Sequence, residues 1–381
     1  MLTNSAEFGV VNQRDFFDKD IATQGKLEGY FVVELGSYVY NPRISSTAPV
    51  GPISKNKIGT GVMSPLYTVF KFKEKRNDFY EHFFKTTGWH AYMRQTSSTG
   101  ARHDRMAISN DGFMAMPLPV SSPDEQQKIA DCLNSLDELI VAQHCKVDAL
   151  KKHKKGLMQQ LFPRKSETHP RLRLPEFQNA GEWKSAPLGQ LLTSSPDYGV
   201  NAAAVPFSEL LPKYLRITDI SEDGRYCSDK KVSVDIKPTA GSYLDEGDIA
   251  LVRTGASVGK SYCYRKEDGR LVFAGFLIRI KPAKKKLVSA YLANFLTTDI
   301  YWDWVAVTST RSGQPGINST EYSSLSIPLP PGDLSEQQRI TDCLTSLDDL
   351  ITAQIQKYEA LKTHKKGLMQ QLFPATEEVK S

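Results

Sequence analysis

One segment occurs twice in this chain, and that repeat constrains the fold more than any other feature. The first copy, Glu125 to Pro163, reads EQQKIADCLNSLDELIVAQHCKVDALKKHKKGLMQQLFP. The second copy, Glu336 to Pro374, reads EQQRITDCLTSLDDLITAQIQKYEALKTHKKGLMQQLFP. Of the 39 aligned positions 29 are identical, and the offset is 211 residues throughout. A long match at constant offset indicates an internal duplication, so the chain consists of two related units.

Each copy has the residue spacing of one long helix with an apolar stripe. Apolar residues alternate at steps of three and four, which is typical of a coiled-coil seam. A helix of about 37 residues is roughly 55 Å long and cannot bury such a stripe alone, so we expect the two copies to lie side by side and antiparallel. The residues predicted to pair the helices are Ile129, Leu133, Leu136, Ile140, Val147, Leu150, Leu157, Leu161, Ile340, Leu344, Leu347, Ile351, Tyr358, Leu361, Leu368 and Leu372.

Polar residues and a glycine interrupt both stripes. Gln143 and Lys154 in the first copy correspond to Gln354 and Lys365 in the second. Polar seam residues either fix the register of the pair or lie near the surface in water, and the sequence leaves both readings open. The glycine of each copy marks either close packing or a frayed last turn, at about 1 kcal/mol each. Asp124 and Glu125 are predicted to cap the first helix.

The repeat extends more weakly into the regions before each helix. GSYVYN at 36–41 aligns with GDIALV at 247–252, and FKTT at 84–87 aligns with FLTT at 295–298. The second unit begins near Arg171, and the counterpart of roughly Arg171 to Leu211 is missing from the first unit, so we expect either an upstream start or a shortened first domain. The predicted segments are a first globular domain at 1–121, a helix at 122–163, a linker and second globular domain at 164–331, a helix at 332–374 and a tail at 375–381.

The globular parts contain short runs of β-branched and aromatic residues. Helical patterns at 77–85 and 287–297 occur among them in no regular βαβ order, which favours an α+β fold with two domains in tandem. The predicted strands are Tyr30 to Val33, Tyr38 to Tyr40, Tyr67 to Phe72, Asp248 to Arg253, Ser261 to Arg265 and Phe276 to Lys281.

Composition excludes several classes of protein. A hydrophobic content of 40% and a mean hydropathy of -0.38 are typical of a soluble globular protein. The sequence has no apolar run of about 18 residues and no secretion signal, and its five cysteines form no CxxC pair, so we expect a cytoplasmic protein without a membrane partner. The net charge of +5 permits nucleic-acid binding but does not require it.

The sequence contains no convincing catalytic or metal-binding constellation. The seven histidines have no ligand-like spacing. The stretch RTGASVGKS at 253–261 resembles a phosphate loop, but only three residues separate Gly255 from Gly259, and the following YCYRK predicts a strand rather than a helix. This stretch is therefore either a poor nucleotide site, a glycine-rich turn between strands, or a basic loop that touches DNA through Arg253 and Lys260.

Basic and amide residues in the predicted loops are the candidates for contact with DNA. Any one such cation is usually a solvated surface charge, whereas a cluster of them can contact phosphates and base edges. The candidates are Arg43, Lys55, Lys57, Arg102, Arg105, Lys213, Arg216, Arg253, Lys260, Arg311, Gln314 and Asn318.

With these motifs the chain resembles the DNA-specificity (S) subunit of type I restriction–modification systems. The resemblance rests on PLP at 117–119 and 328–330 before the two EQQ…HKKGLMQQLFP segments, on RLRLPEF at 171–177 and on LRITDI at 215–220. It covers nearly the whole chain except for the missing front. It implies two target-recognition domains that each read half of a bipartite, asymmetric site in double-stranded DNA.

The resemblance also implies what the helices and partners do. The helices pair antiparallel with pseudo-two-fold symmetry, set the spacer between half-sites and dock two methyltransferase subunits. The chain itself is non-catalytic and holds no cofactor, since S-adenosylmethionine belongs to the methyltransferase subunits, and ATP and Mg²⁺ belong to restriction subunits. The alternative is a decayed or regulatory coiled-coil scaffold whose first domain does not read DNA.

Overall fold

The structure, a computed structural model, describes residues 1–16, 28–99, 104–311 and 313–373. Arg102 and the predicted tail at 375–381 lie outside these residues. The chain forms two compact units. Unit 1 comprises Met1–Cys145 and Ile355–Ser381, and unit 2 comprises Lys146–Gln354. Each unit therefore combines one globular domain with one part of each long helix, whereas the predicted segments treated domains and helices separately.

The globular domain of unit 1 consists of short antiparallel sheets and short helices. Its described strands are β1 (Leu2–Ser5), β2 (Gly9–Asn12), β3 (Phe31–Val33), β4 (Tyr38–Tyr40), β5 (Ile53–Lys55), β6 (Gly61–Met63), β7 (Thr68–Phe70), β8 (Ser98–Thr99) and β9 (Met106–Ala107). Its helices are α1 (Gln13–Phe16), α2 (Asp78–Phe83), α3 (His90–Thr96) and α4 (Asn110–Met114), followed by the first long helix α5 (Pro123–Leu161). Strand β4 lies between β5 and β7, and β1–β2, β3–β6 and β8–β9 form two-stranded sheets.

The globular domain of unit 2 contains two larger sheets. Its described strands are β10 (Lys184–Pro187), β11 (Asp197–Tyr198), β12 (Ala204–Pro206), β13 (Lys213–Leu215), β14 (Val232–Val234), β15 (Ile249–Val252), β16 (Ser261–Cys263), β17 (Leu271–Phe273), β18 (Leu277–Ile280) and β19 (Ser326–Leu329). Its helices are α6 (Ser289–Phe295), α7 (Asp299–Thr308) and α8 (Ser319–Ser324), followed by the second long helix α9 (Ser335–Leu372). The sheet orders are β11-β18-β15-β16 and β12-β14-β13-β17, and β10 pairs with β19.

These elements agree with the predicted α+β fold. Every strand and helix predicted in the globular parts is present, and each observed element is at most two residues shorter at either end than predicted. The sequence Asp124-Glu125 does not cap α5. Ser122 does so, since its Oγ accepts a hydrogen bond of 3.3 Å from the Glu125 amide, and Pro123 takes the first helical position, where its missing N–H costs nothing.

Each globular core packs on the start of one long helix and the end of the other. In unit 1, Leu133 of α5 and Phe373 just after α9 lie in one buried cluster, and the ring of Phe373 is 5.0 Å from that of Phe79. In unit 2, the repeat-equivalent residues Phe162 and Leu344 do the same, with the Phe162 ring 5.1 Å from Tyr291. The repeated helix sequence thus has a repeated packing role.

The two long helices run antiparallel within each unit. In unit 1, Asp137 of α5 pairs with Lys365 of α9, and seven residues further along α5 the His144 ring lies 5.4 Å from Tyr358, seven residues back along α9. In unit 2, Lys154 pairs with Asp348 at 2.7 Å. All sixteen predicted seam residues are buried or half-buried.

The interruptions in the seam have a definite structural basis. Lys154 and Lys365 are ion-paired across the helices rather than solvated, and Gln143 is buried at 7% exposure. Gly156 and Gly367 lie inside the helices, and a Cβ at either would meet nothing within 4 Å, so close packing does not explain them.

Candidate nucleic-acid interface

Two loops of unit 2 are joined by backbone hydrogen bonds. They are the turn at 253–260, between β15 and β16, and the described residues of 309–318, between α7 and α8, and we call them the second loop pair. The Gly255 amide donates to Pro315 O at 3.0 Å, and the Ile317 amide donates to Arg253 O at 2.8 Å. Gly255 has a φ of +84°, which an L side chain rarely adopts. These bonds hold the two loops as one surface.

Unit 1 contains the same arrangement, here called the first loop pair. It consists of the turn at 42–52, between β4 and β5, and the described residues between α3 and α4. The Ile44 amide donates to Asp104 O at 3.0 Å, and the Met106 amide donates to Pro42 O at 2.9 Å. Arg43 and Arg105 form an isolated antiparallel β-bridge through their backbones. All six residues lie 211 positions before the residues that make the same contacts in unit 2, where the bridge joins Thr254 and Gly316.

The two loop pairs share a backbone frame but differ in side chains. Arg43 of the first pair stands where the second has Thr254, and Arg253 of the second stands where the first has Pro42. The two loop pairs thus have the same backbone contacts but different side chains, as expected of two domains that bind different ligand surfaces in the same way.

Arg253 is placed by an aromatic ring from another strand. Its guanidinium carbon lies 4.7 Å from the ring centroid of Tyr198 in β11. The Tyr198 hydroxyl lies 3.2 Å from Ser319 Oγ, and this hydrogen bond lowers the pKa of the phenol. Beside them Phe276 is 58% exposed, and its carbonyl accepts the Arg253 amide at 3.1 Å.

Tyr198 and Phe276 are not among the DNA-contact candidates that the sequence predicts. Tyr198 is 44% exposed because it belongs to β11, a two-residue strand at the edge of its sheet. The neighbouring Asp197 carboxylate accepts a hydrogen bond of 3.0 Å from Arg279, which holds β11 in place. In the sequence, Phe276 is marked only by its position directly before the apolar run 277–280, which forms the buried strand β18. Exposed rings beside a cation are a common feature of surfaces that bind single-stranded nucleic acid.

Most of the other predicted cations are paired with carboxylates, which weakens their attraction for phosphate. The pairs are Arg43–Asp104 at 3.9 Å, Lys57–Glu81 at 2.8 Å, Arg216–Asp219 at 2.7 Å, Lys260–Glu222 at 2.6 Å and Arg311–Glu321.

Some predicted residues have structural roles within the domains. The Lys55 side chain is only 12% exposed, and its Nζ donates to Asn77 Oδ1 at 2.7 Å and to Asp78 Oδ1 at 2.6 Å. Asn318 caps α8, since its side chain accepts the Glu321 amide at 2.9 Å. These two side chains build the fold rather than an open face.

Three predicted cations form no ion pair with the described residues. Lys213 donates to the Asp268 carbonyl at 3.1 Å, and Arg105 is half-buried with its Nε lacking a partner. The third is Arg253, which lies on the same loop pair as the exposed Gln314, whose side-chain nitrogen approaches Gly255. The second loop pair therefore carries both Arg253 and Gln314, whereas Lys213 lies outside it.

Other kinds of site find little support in the described part of the chain. The turn at 255–260 leads into strand β16 and its lysine is paired with Glu222, so the amides of a helix N-terminus are not available for phosphate. Across the same residues, histidine, cysteine and acidic side chains form no cluster of three or more that would hold a metal ion. None of the described helices is long and apolar enough to span a membrane.

The chain is similar to known proteins in both sequence and structure. Residues 182–363 match the type I restriction modification DNA specificity domain. The chain is 24% identical over 357 residues to the type I restriction enzyme MjaVIII specificity subunit of Methanocaldococcus jannaschii, covering 89% of this chain and 75% of that protein.

Two solved structures share the fold. A chain from a study of complex assembly and conformational transition of the type I R-M system has a TM-score of 0.52 at 17% identity, covering 90% of this chain and 82% of the other. The type I restriction–modification S subunit of M. genitalium has a TM-score of 0.51 at 14% identity, covering 93% and 87%.

The matched domain contains the whole second loop pair, and the repeat relates that pair to the first. The family resemblance inferred from the helix motifs is thus confirmed by sequence relatives and by fold. The chain is thus similar over most of its length to type I restriction enzyme specificity subunits, and its residues 182–363 match the type I restriction modification DNA specificity domain.

Proposed function

We propose that this chain reads a bipartite, asymmetric site in double-stranded DNA, one half with each loop pair. The observation that carries the proposal is the repeated backbone frame: three contacts recur 211 residues apart while the side chains on the frame differ. Equal frames give both domains the same way of approaching DNA, and unequal side chains give each its own preferred bases.

The helices are the spacer of this site. Residues of α5 and α9 pair with opposite direction in both units, and the pairs are repeat equivalents. A rigid antiparallel pair of helices sets the separation of half-sites, as the scaffold of a dimeric reader does. The exposed faces of the helices dock two methyltransferase subunits, which supply S-adenosylmethionine and methylate adenine. Restriction subunits, with ATP and Mg²⁺, complete the complex.

A methylation map tests the proposal. The chain is expressed with its methyltransferase subunit in a host without adenine methylation, and modified adenines are located by sequencing. A motif with two defined halves and an undefined spacer is the expected result, and the methyltransferase subunit expressed alone is the control. Random or absent methylation, with the complex shown to assemble, contradicts the proposal.

A scaffold whose first domain does not read DNA is the second candidate. It is favoured by the carboxylate of Asp104, which lies on the first loop pair, is exposed and pairs with Arg43. A negative charge at this place repels phosphate. A motif with only one defined half is the outcome expected of this candidate.

A further inference from the structure

Arg253 differs from most of the other predicted cations in what surrounds it. In the described residues its guanidinium has no carboxylate partner, whereas Arg43, Lys57, Arg216, Lys260 and Arg311 each have one. An unpaired guanidinium retains all five donors for a ligand. The second loop pair therefore presents one cation that is ready to bind.

The position of Arg253 is fixed from three directions. Its amide donates to Phe276 O at 3.1 Å, and its carbonyl accepts from Ile317 at 2.8 Å. Its guanidinium lies over the Tyr198 ring, which is itself held through the hydroxyl contact with Ser319 at 3.2 Å. Holding a planar guanidinium on an aromatic face reduces the rotamer entropy lost when it binds.

A fixed, planar donor fork matches one base better than the others. Guanine presents O6 and N7 as two acceptors in the major groove, and arginine bonds to both at once. A phosphate contact would require only a charge, without the oriented ring. Resting on the function proposed above, we propose that Arg253 reads a guanine in the half-site of the second domain and that Tyr198 is its positioning residue.

The chain offers a matched control for this assignment. Arg270 is exposed and lies 4.0 Å over the ring of Tyr243, so it makes the same kind of stacked contact. It is not part of either loop pair. Arg270→Ala removes a cation and a cation–π contact without touching the proposed reading residues.

The test is the methylated motif of the full chain, expressed with its methyltransferase subunit, in wild-type and variant forms. Arg253→Ala and Arg253→Lys are expected to lose a guanine preference of roughly 5- to 150-fold at one position of one half-site. The other half-site and the Arg270→Ala motif stay unchanged. Lysine keeps the charge but not the fork, and soluble expression with an unchanged melting curve shows that the variant is folded.

Three results overturn the assignment. An unaltered motif for Arg253→Ala means that this residue reads no base. A uniform loss of methylation at all sites, restored by Arg253→Lys, means a phosphate contact instead. A wild-type chain without a defined motif overturns the proposed function together with this assignment, whereas the first two results leave the proposed function intact.

Tyr198 has its own readout. Tyr198→Phe keeps the ring under the guanidinium and is expected to keep the guanine preference. Tyr198→Ala is expected to weaken that preference at the same position, with Arg253 still present. A purely structural role would lower methylation equally at all sites without changing the base preferred, and that result would remove Tyr198 from the assignment.

Discussion

Lys154 donates hydrogen bonds of 2.7 Å to both carboxylate oxygens of Asp348, and Lys365 pairs with Asp137. Lys154 and Lys365 occupy equivalent positions of the repeat, as do Asp137 and Asp348. The two ion pairs are therefore equivalent, with the lysine on α5 in one and on α9 in the other. A helix pair shifted by one heptad would break both. These lysines interrupt the apolar seam but specify its register.

The ion pair in unit 2 is expected to couple energetically. Lys154→Ala and Asp348→Ala each lower the free energy of unfolding, and their double-mutant cycle gives a coupling of about 1–3 kcal/mol. Asp348→Ala costs more than Lys154→Ala, because it also deprives Arg225 of a carboxylate at 3.6 Å. Chemical denaturation of the full chain measures this. The exposed pair Lys362–Glu359 is the control, with coupling below about 0.5 kcal/mol; equal coupling for both pairs would contradict the register role.

Glu336, at the start of α9, forms a buried ion pair with Arg173. Their side chains are 2% and 7% exposed, and the guanidinium donates two bonds of 2.8 Å. Glu336→Ala leaves that guanidinium buried and unpaired, so we expect a loss of about 3–5 kcal/mol of stability. Its repeat equivalent Glu125 is exposed, and Glu125→Ala should change stability by less than about 0.5 kcal/mol. Similar losses in thermal unfolding for both variants would refute this explanation.

The helix glycines are expected to be replaceable. Gly156→Ala and Gly367→Ala should each stabilise the chain by about 0.5–1 kcal/mol, since alanine loses less backbone entropy in a helix and the new Cβ meets nothing within 4 Å. Gly259→Ala is the contrasting variant. Its φ is +91° and its Cβ would lie 2.8 Å from Val305, so it should destabilise unit 2. The melting temperatures of the three variants test this prediction. A lower melting temperature for Gly156→Ala or Gly367→Ala would mean that the new Cβ contacts a neighbouring residue.

His82 is expected to make unit 1 sensitive to acid. It is fully buried, its Nε2 lies 2.9 Å from Asn134 Oδ1, and its Nδ1 has no partner among the described residues. Burial lowers the pKa of His82 below its usual value of about 6.5. Because the unfolded chain binds the proton more readily, the contribution of His82 to stability is present above pH 6.5 and is lost as pH falls towards the lowered pKa.

The measurement is the unfolding free energy of the full chain at pH 7.5 and pH 5. His82→Gln should reduce the difference between the two, whereas His364→Gln, at an exposed position, should not. Glu81, Lys85 and Lys365 also act on His82, so the comparison is made between variants at each pH. An unchanged pH dependence in His82→Gln would show that other groups are responsible.

The helices were predictable because their signal is local and repeated. The spacing of Leu133, Leu344 and the other seam residues depends only on helix geometry, so the buried face follows from the sequence. The same offset of 211 relates strand β4 to strand β15, because the duplicated sequence keeps the corresponding strands at matching positions in the two units.

The roles of the loop residues were not predictable in the same way. The Lys55 side chain is largely buried because it donates hydrogen bonds to Asn77 and Asp78, which lie more than twenty residues away in the sequence. No local sequence pattern predicts these contacts. Tyr198 reaches Arg253 only because β11 pairs with β18. Which cation stays free of a carboxylate partner depends on tertiary contacts of this kind, and composition alone does not reveal them.

The length of the helices is expected to set the spacer of the DNA site. On α5, Asp137 and Lys154 are 17 residues apart, as are Asp348 and Lys365 on α9. Deleting 140–146 from α5 alone keeps its apolar seam but shortens this interval, so both ion pairs cannot form together. We expect a lower melting temperature and a loss of methylation. Deleting only the equivalent 351–357 from α9 is the matched control and should give the same defects.

Deleting both heptads restores the match between the helices. Seven residues correspond to roughly 10 Å of helix, or about three base pairs of DNA. The doubly shortened chain is therefore expected to melt near the wild-type temperature and to methylate the same two half-sites with a spacer about three base pairs shorter. The methylation map measures the spacer directly. A stable double deletion that keeps the original spacing would mean that the helix pair holds the chain together without measuring the distance between half-sites.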